Sequence, residues 1–330
     1  MIENWQSATT RRQAKAWPLF SGPRQSRPER EEGAGSEGNS GSEASTGSLL
    51  WLFWLYLLLI AYAELFTAMA NALYGMILHA LLLVALLGHG TLGRHESERR
   101  LALALTLAPM IRMFSLAMPL TKFPQIAWYP LTAVPLLAAT WLVVRQLGIP
   151  RCELGLSMGR VPLQLMIMLS GLSFGWLEYM ILRPAQIALS YDWWGFALPA
   201  LVLLVFTGFN EEIIFRGLLQ AVALPVSGRW GLVYVSLLFG ALHIGYLSVV
   251  DLVFVTFVGL AFAYIVAWGR SLLGVTLAHG LTNTMLFVVM PYLAQQAPPQ
   301  VVAFALWASV AGTALSLVGA FLLWRHRARN

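Results

Sequence analysis

The fold of this 330-residue chain is decided by one stretch, Phe209-Asn210-Glu211-Glu212-Ile213-Ile214-Phe215-Arg216-Gly217. It places two acids and an arginine inside a mostly apolar run that extends from Trp194 to Leu224. Ionisable groups at membrane depth are costly, and they usually face a protein interior or a water-filled cavity. The stretch therefore predicts a membrane helix whose polar side chains face inward.

Helical spacing assigns different roles to the two glutamates. Glu212 and Arg216 stand i,i+4 apart and share one face, as an ion pair would. Glu211 lies about 100° round the helix from Glu212, because a turn takes about 3.6 residues. The arginine therefore neutralises Glu212 and leaves Glu211 free to take up or release a proton. The alternative interpretation is a salt bridge that only locks the helix, beside a spare acid.

The composition predicts an all-α polytopic membrane protein. Hydrophobic residues make up 58% of the chain and charged residues only 11%, whereas soluble domains carry about 25% charged residues. The net charge is +6, with most basic residues at the chain ends and in short loops. This distribution fits anchoring at the cytoplasmic face of a membrane, and it argues against nucleic-acid binding. The single cysteine, Cys152, excludes an intrachain disulfide and a cysteine-based metal cluster.

Hydropathy predicts about ten transmembrane helices after a polar tail. Residues 1–48 are rich in Gly, Ser, Glu and Arg and are predicted to be disordered, because they cannot bury a core. The predicted spans are 49–69, 71–90, 101–118, 127–147, 161–182, 195–222, 231–247, 250–269, 272–292 and 301–324. They divide the chain into the tail at 1–48, N-terminal helices at 49–195, a helical core at 196–295, and a last helix with a basic tail at 296–330.

Two features of the early spans are predicted to be structural. Four ionisable residues lack an obvious partner in the sequence and are expected near membrane interfaces or paired between helices: Glu64, His79, Arg112 and Glu178. The stretch Gly171-Leu172-Ser173-Phe174-Gly175 matches the pattern of a serine-hydrolase nucleophile elbow, which requires a strand-turn-helix context. Here it lies in an apolar helix, where two glycines four residues apart predict close helix packing.

Two further polar motifs follow the double glutamate. Phe239-Gly240-Ala241-Leu242-His243 places a histidine late in the seventh span, and His279-Gly280-Leu281-Thr282-Asn283 places two polar groups on one face of the ninth. Counted from the cytoplasmic ends at about 1.5 Å per residue, the polar groups lie about 10 to 16 Å deep, with His243 somewhat deeper. Four polar groups from three helices are therefore predicted to meet in one layer of the membrane.

This combination of groups predicts hydrolytic chemistry. A carboxylate and an imidazole, Glu211 and His243, can share a water molecule and remove its proton. A second imidazole and an amide, His279 and Asn283, can donate hydrogen bonds to the oxyanion that develops on a peptide carbonyl. A competing assignment makes Glu211, His243 and His279 the ligands of a zinc ion. The chain has no His-Glu-x-x-His motif, so the zincin pattern is absent.

The three motifs, in this order, resemble the CPBP family, also called the Abi or type II CAAX prenyl protease family of intramembrane endopeptidases. The resemblance covers residues 196–295. It implies Glu211 and His243 as water activators and His279 and Asn283 as oxyanion stabilisers, with Glu212, Arg216 and Phe239 in supporting roles. It also implies membrane proteins or lipidated peptides as substrates. A glutamate-dependent endopeptidase without a metal is favoured, and a Zn²⁺ metalloendopeptidase is the alternative.

Two other classes of protein compete with a protease. Buried Glu and His residues also form the proton relays of transporters. Transporters often contain internal repeats, however, and no convincing duplication is visible in this sequence. A non-catalytic membrane scaffold or immunity protein could share the same fold, but substituted motif residues would be expected there and none is substituted.

The arginines of the loops predict the topology in the cell membrane. They lie on the side of the Arg-rich N-terminus if the chain crosses the membrane ten times, which places both termini in the cytoplasm. Topology reporters fused after Arg329 and inserted into the 292–300 loop should therefore report opposite sides of the membrane. Two reporters on the same side would contradict the ten-span arrangement.

Overall fold

The computed structural model describes residues 40–187 and 192–329. In this part, 85% of the residues are helical and no strand occurs, which confirms the predicted all-α class. Most of the predicted disordered tail at 1–48 lies outside the described residues. The first helix begins at Ser40, eight residues before the predicted end of the tail at Ser48.

Nine helices in the described part are long and apolar enough to cross a membrane, and one further apolar helix is shorter, which makes ten segments. In chain order they are α1 (Ser40–Met69), α2 (Ala72–Leu92), α3 (Glu96–Ala117), α4 (Gln125–Leu147), α5 (Val161–Leu182), α6 (Trp193–Ser227), α7 (Trp230–Tyr246), α8 (Val249–Gly269), α9 (Leu273–Gln296) and α10 (Pro299–Arg329). The shorter one is α7. Each of the ten segments overlaps one of the ten predicted spans, and nine of them in the described part are long enough to cross a membrane. The chain is a multi-pass membrane protein.

The backbone departs from regular α-helix near two of the motifs. In α6, the π-helical stretches Leu204–Phe209 and Ile213–Leu219 flank the short α-helical segment Asn210–Glu212. In α9, the π-helical stretch Met285–Val289 begins two residues after Asn283. Because π-helical turns frequently occur at functional sites, the irregular backbone is consistent with a functional site on these two helices.

The glycine pair of α5 packs directly against α9. A Cβ atom added at Gly171 would lie 2.3 Å from the carbonyl oxygen of Ala278, and one added at Gly175 would lie 2.4 Å from that of Thr282. The hydroxyl of Ser173 instead donates a hydrogen bond to the carbonyl of Ser309 in α10, at 2.7 Å. These contacts confirm that the Gly-x-Ser-x-Gly pattern serves helix packing.

Three of the four early ionisable residues pair between helices. The Nε of Arg112 in α3 donates to Oε2 of Glu64 in α1, at 2.8 Å, and Oε1 of Glu64 lies 3.6 Å from Nε2 of His79 in α2. Glu64 and His79 are fully buried. This network therefore joins the first three helices to one another.

A second glycine contact holds α6 against α9. A Cβ atom added at Gly208 would lie 2.8 Å from the backbone nitrogen of Gly280. One added at Gly280 would lie 2.8 Å from the Cα atom of Leu204. Neither position has space for a side chain, so the two helices cross with their backbones in contact.

This crossing makes a prediction about stability. Gly208→Ala should lower the free energy of unfolding by about 1–3 kcal/mol, because the added methyl group must push two backbones apart. Unfolding in mixed detergent micelles measures the effect. Gly88→Ala is the matched control, since Gly88 lies in α2 with no atom within 4 Å of an added Cβ. Equal stability of the two variants would contradict the backbone contact.

Candidate active site

One oxygen atom of Glu212 joins the double-glutamate motif to the last motif. Glu212 is fully buried in α6, and its Oε1 accepts a hydrogen bond from Nη1 of Arg216 at 3.0 Å. The same oxygen accepts a hydrogen bond from Nδ1 of His279 in α9 at 2.7 Å. The predicted pairing of Glu212 with Arg216 is therefore present, and the carboxylate also holds the imidazole.

Phe239 connects the middle motif to Arg216. The guanidinium of Arg216 lies 4.3 Å from the centroid of the Phe239 ring, within the range of a cation–π interaction. The centroid of the same ring lies 4.6 Å from the centroid of the His243 ring. Gly259 of α8 leaves room for the arginine, because a Cβ atom there would lie 2.9 Å from Nη2 of Arg216. The three supporting residues therefore form one buried unit.

Hydrogen bonds through Nδ1 set the orientation of both histidines. Nδ1 of His243 donates to the carbonyl of Phe239 at 2.8 Å, so a neutral imidazole there keeps its free lone pair on Nε2. His279 uses its Nδ1 for Glu212, and its Nε2 lies 3.7 Å from Oε2 of Glu211. The ion pair of Glu211 is thus with His279, and Glu211 shares only the wall of a cavity with His243.

The amide of Asn283 is also held in one orientation. The hydroxyl of Thr207 donates to the carbonyl of Leu203 at 2.5 Å, so its oxygen acts as an acceptor towards Asn283. Nδ2 of Asn283 donates to that oxygen at 2.8 Å. An amide nitrogen carries two N–H donors, and the second remains for another partner.

The four predicted catalytic residues line a single small cavity: Glu211, His243, His279 and Asn283. Its volume is about 80 Å³, enough to hold water. A wider cavity of about 400 Å³ adjoins it. The residues common to both walls are Tyr129, Thr207, Glu211, Phe239, His243 and Tyr246. Water and a larger molecule could therefore reach Glu211 and His243 from two sides.

Several lining residues were not identified from the sequence. Glu178 of α5 was expected near an interface or in a pair between helices, and it contributes to the wall of the small cavity. Tyr129 and Tyr246 also line it, and no sequence signal distinguishes them. Thr207 could have been found, because it precedes Glu211 by four residues and therefore shares its helix face.

The zinc assignment is not matched by the arrangement of these groups. Within residues 40–187 and 192–329, no three His, Cys, Asp or Glu side chains are grouped as a metal ion would require. The three proposed ligands share a cavity without forming a ligand set.

Fold and site together define a multi-pass membrane protein with a partly buried Glu, His and Asn cluster around a small cavity. Residues 193–285 match the family model described as type II CAAX prenyl endopeptidase Rce1-like. The match confirms the resemblance predicted from the three motifs, all of which it contains, and it supports an intramembrane protease. Helices α1 to α5 lie outside it. No curated protein sequence and no solved structure matches the chain.

Proposed function

We propose that this protein is an intramembrane endopeptidase that hydrolyses peptide bonds of membrane proteins or lipidated peptides near the cytoplasmic face of the cell membrane. The observation that carries the proposal is the shared cavity, where side chains from three motifs surround a space of about 80 Å³. The match to a prenyl endopeptidase family supports this class of substrate.

In this proposal, Glu211 and His243 activate a water molecule held in the small cavity. Both face the wider cavity as well, where a peptide segment would lie. A neutral His243 has its lone pair on Nε2, since Nδ1 donates to Phe239, so it can accept a proton from water. The carboxylate of Glu211 shares this task, and the resulting hydroxide oxygen attacks the carbonyl carbon.

His279 and Asn283 then stabilise the oxyanion. The second N–H of the Asn283 amide is the first donor, with Thr207 holding the nitrogen in place. His279 can donate from Nε2 only as an imidazolium, and the carboxylates beside each of its nitrogens stabilise that charge. The proton taken from water passes to the nitrogen of the departing amine as the C–N bond breaks. No metal ion takes part in this scheme.

The two glutamates should give different phenotypes. Glu211→Gln should lower turnover at least about 100-fold while the protein stays folded, because a water activator is lost. Glu212→Gln should in addition lower stability, by about 3 kcal/mol or more, because it leaves Arg216 buried without a counter-charge. Proteomics of membranes carrying each variant measures accumulated precursors, and thermal unfolding measures stability. Glu153→Gln, at an exposed position, is the control. Normal processing by Glu211→Gln would refute the proposal.

The oxyanion site and the metal-free scheme are tested together. Asn283→Ala should lower turnover by about 10² to 10³, the usual cost of one lost oxyanion donor.

The wild-type enzyme, treated with a chelator and checked by elemental analysis, should remain active. Stoichiometric zinc, with activity lost on its removal and restored on its return, would favour the metalloprotease alternative instead.

A further inference from the structure

The helix that carries His243 ends next to the proposed site. Its regular part, Trp230–Ala241, is followed by a short 3₁₀ turn at Ile244–Tyr246. The last carbonyls of a helix lack partners within the helix, and an unpaired carbonyl surrounded by a membrane is costly. The groups that satisfy these carbonyls therefore decide how the end of α7 is held.

Several of these carbonyls are satisfied within α7 itself. The carbonyl of Phe239 accepts from the imidazole of His243, and the carbonyl of Gly240 accepts from the backbone N–H of the same residue at 2.8 Å. The carbonyl of His243 accepts from the backbone of Tyr246 at 3.0 Å. The position of the imidazole is thus tied to the backbone at the end of this helix.

The carbonyl of Leu242, directly before His243, is bonded from another helix. It accepts a hydrogen bond from Nη2 of Arg112 in α3, at 3.3 Å. The guanidinium also packs against the turn, since a Cβ atom at Gly245 would lie 3.3 Å from Nη2. Arg112 therefore bonds to the backbone before His243 and lies close to Gly245 after it, and a positive charge at a helix C-terminus is favourable.

Arg112 is itself held in place by Glu64. Nε and Nη2 lie 2.8 and 2.5 Å from Oε2 of Glu64, a fully buried side chain of α1. His79 of α2 lies 3.6 Å from the other oxygen of that carboxylate. A chain of polar contacts therefore runs from three helices that lie outside the matched family segment to the backbone of the proposed water activator.

We propose that Arg112 is a positioning residue for His243. It holds the end of α7 through the carbonyl of Leu242, and Glu64 holds the guanidinium in that place. The N-terminal helices are then part of the catalytic unit, because they fix the imidazole relative to Glu211. That Arg112 affects catalysis rests on the proposed role of His243. That Arg112 fixes the position of the imidazole does not.

The first test is kinetic and uses the full-length purified protein. The probe is an internally quenched peptide that ends in a prenylated cysteine and three further residues. Arg112→Met should lower kcat by about 10- to 100-fold with KM changed less than about threefold, since small displacements of a catalytic group cost up to about 10² in rate. Arg112→Lys, which keeps a donor, should recover part of the loss.

Two further variants control for misfolding and for the loss of an arginine elsewhere on α3. Arg112→Met leaves the carboxylate of Glu64 buried without its arginine partner, so the double variant Glu64→Met/Arg112→Met removes both charges and lowers the risk of misfolding. It should show the same loss of kcat. Arg99→Met is the matched control, because Arg99 lies on the same helix and its Nε donates to the carbonyl of Gly90 at 3.4 Å, outside the proposed site. It should retain wild-type kcat.

The second test needs no substrate. In protein labelled with ¹⁵N-histidine, the ring nitrogens of His243, assigned with His243→Gln, should report a single tautomer protonated at Nδ1. Arg112→Met and the double variant should change these signals, while those of His279 and the Arg99→Met protein stay as in the wild type. Unchanged His243 signals in the folded variants would overturn the inference, as would a raised KM with normal kcat, which would mean that Arg112 binds the substrate itself.

The two tests separate this inference from the proposed function. If His243→Ala retained normal turnover, the catalytic proposal would fail, and the NMR signals would still decide whether Arg112 positions the ring. If His243→Ala lost turnover and the Arg112 variants behaved as the wild type, the proposed function would stand and the positioning role would fail.

Discussion

The site depends on one carboxylate oxygen inside the membrane protein. Oε1 of Glu212 accepts from Arg216 and from His279, two residues that lie on different helices. Both contacts are fully or almost fully buried, where charge-assisted hydrogen bonds are strong and an unpaired charge is expensive. Arg216 then extends the network to the ring of Phe239 on α7. Three helices with three motifs are thereby tied together before any substrate is present.

The same network explains why the motif contains two adjacent acids. Neighbouring residues on a helix point about 100° apart, so one can face the protein interior while the other faces a cavity. The side chain of Glu212 is 0% exposed, and that of Glu211 is 29% exposed. A single glutamate could not both neutralise Arg216 and remain open to water. The pair separates a structural charge from one that is available for chemistry.

The sequence predicted what depends on hydropathy and on the helical period. The ten apolar segments and the i,i+4 pairing of Glu212 with Arg216 follow directly from these two rules. The contact between Glu212 and His279 joins residues 67 positions apart, and that between Arg112 and Leu242 joins residues 130 apart. Such contacts depend on which helices are neighbours and how each is rotated, which one sequence does not specify. The ion pair of Glu211 with His279 was missed for that reason.

The glycine inside the last motif has a physical role beside the catalytic groups. Asn283 and Thr207 have short side chains, so a hydrogen bond between them requires their helices to approach closely. Gly280 and Gly208 make this approach, because each lacks the Cβ atom that would collide with the opposite backbone. His279 directly precedes Gly280, and its bond to Glu212 depends on the same distance between helices. The glycine crossing and the Glu212 network therefore support each other: one sets the separation of α6 and α9, and the other uses it to orient the groups around the cavity.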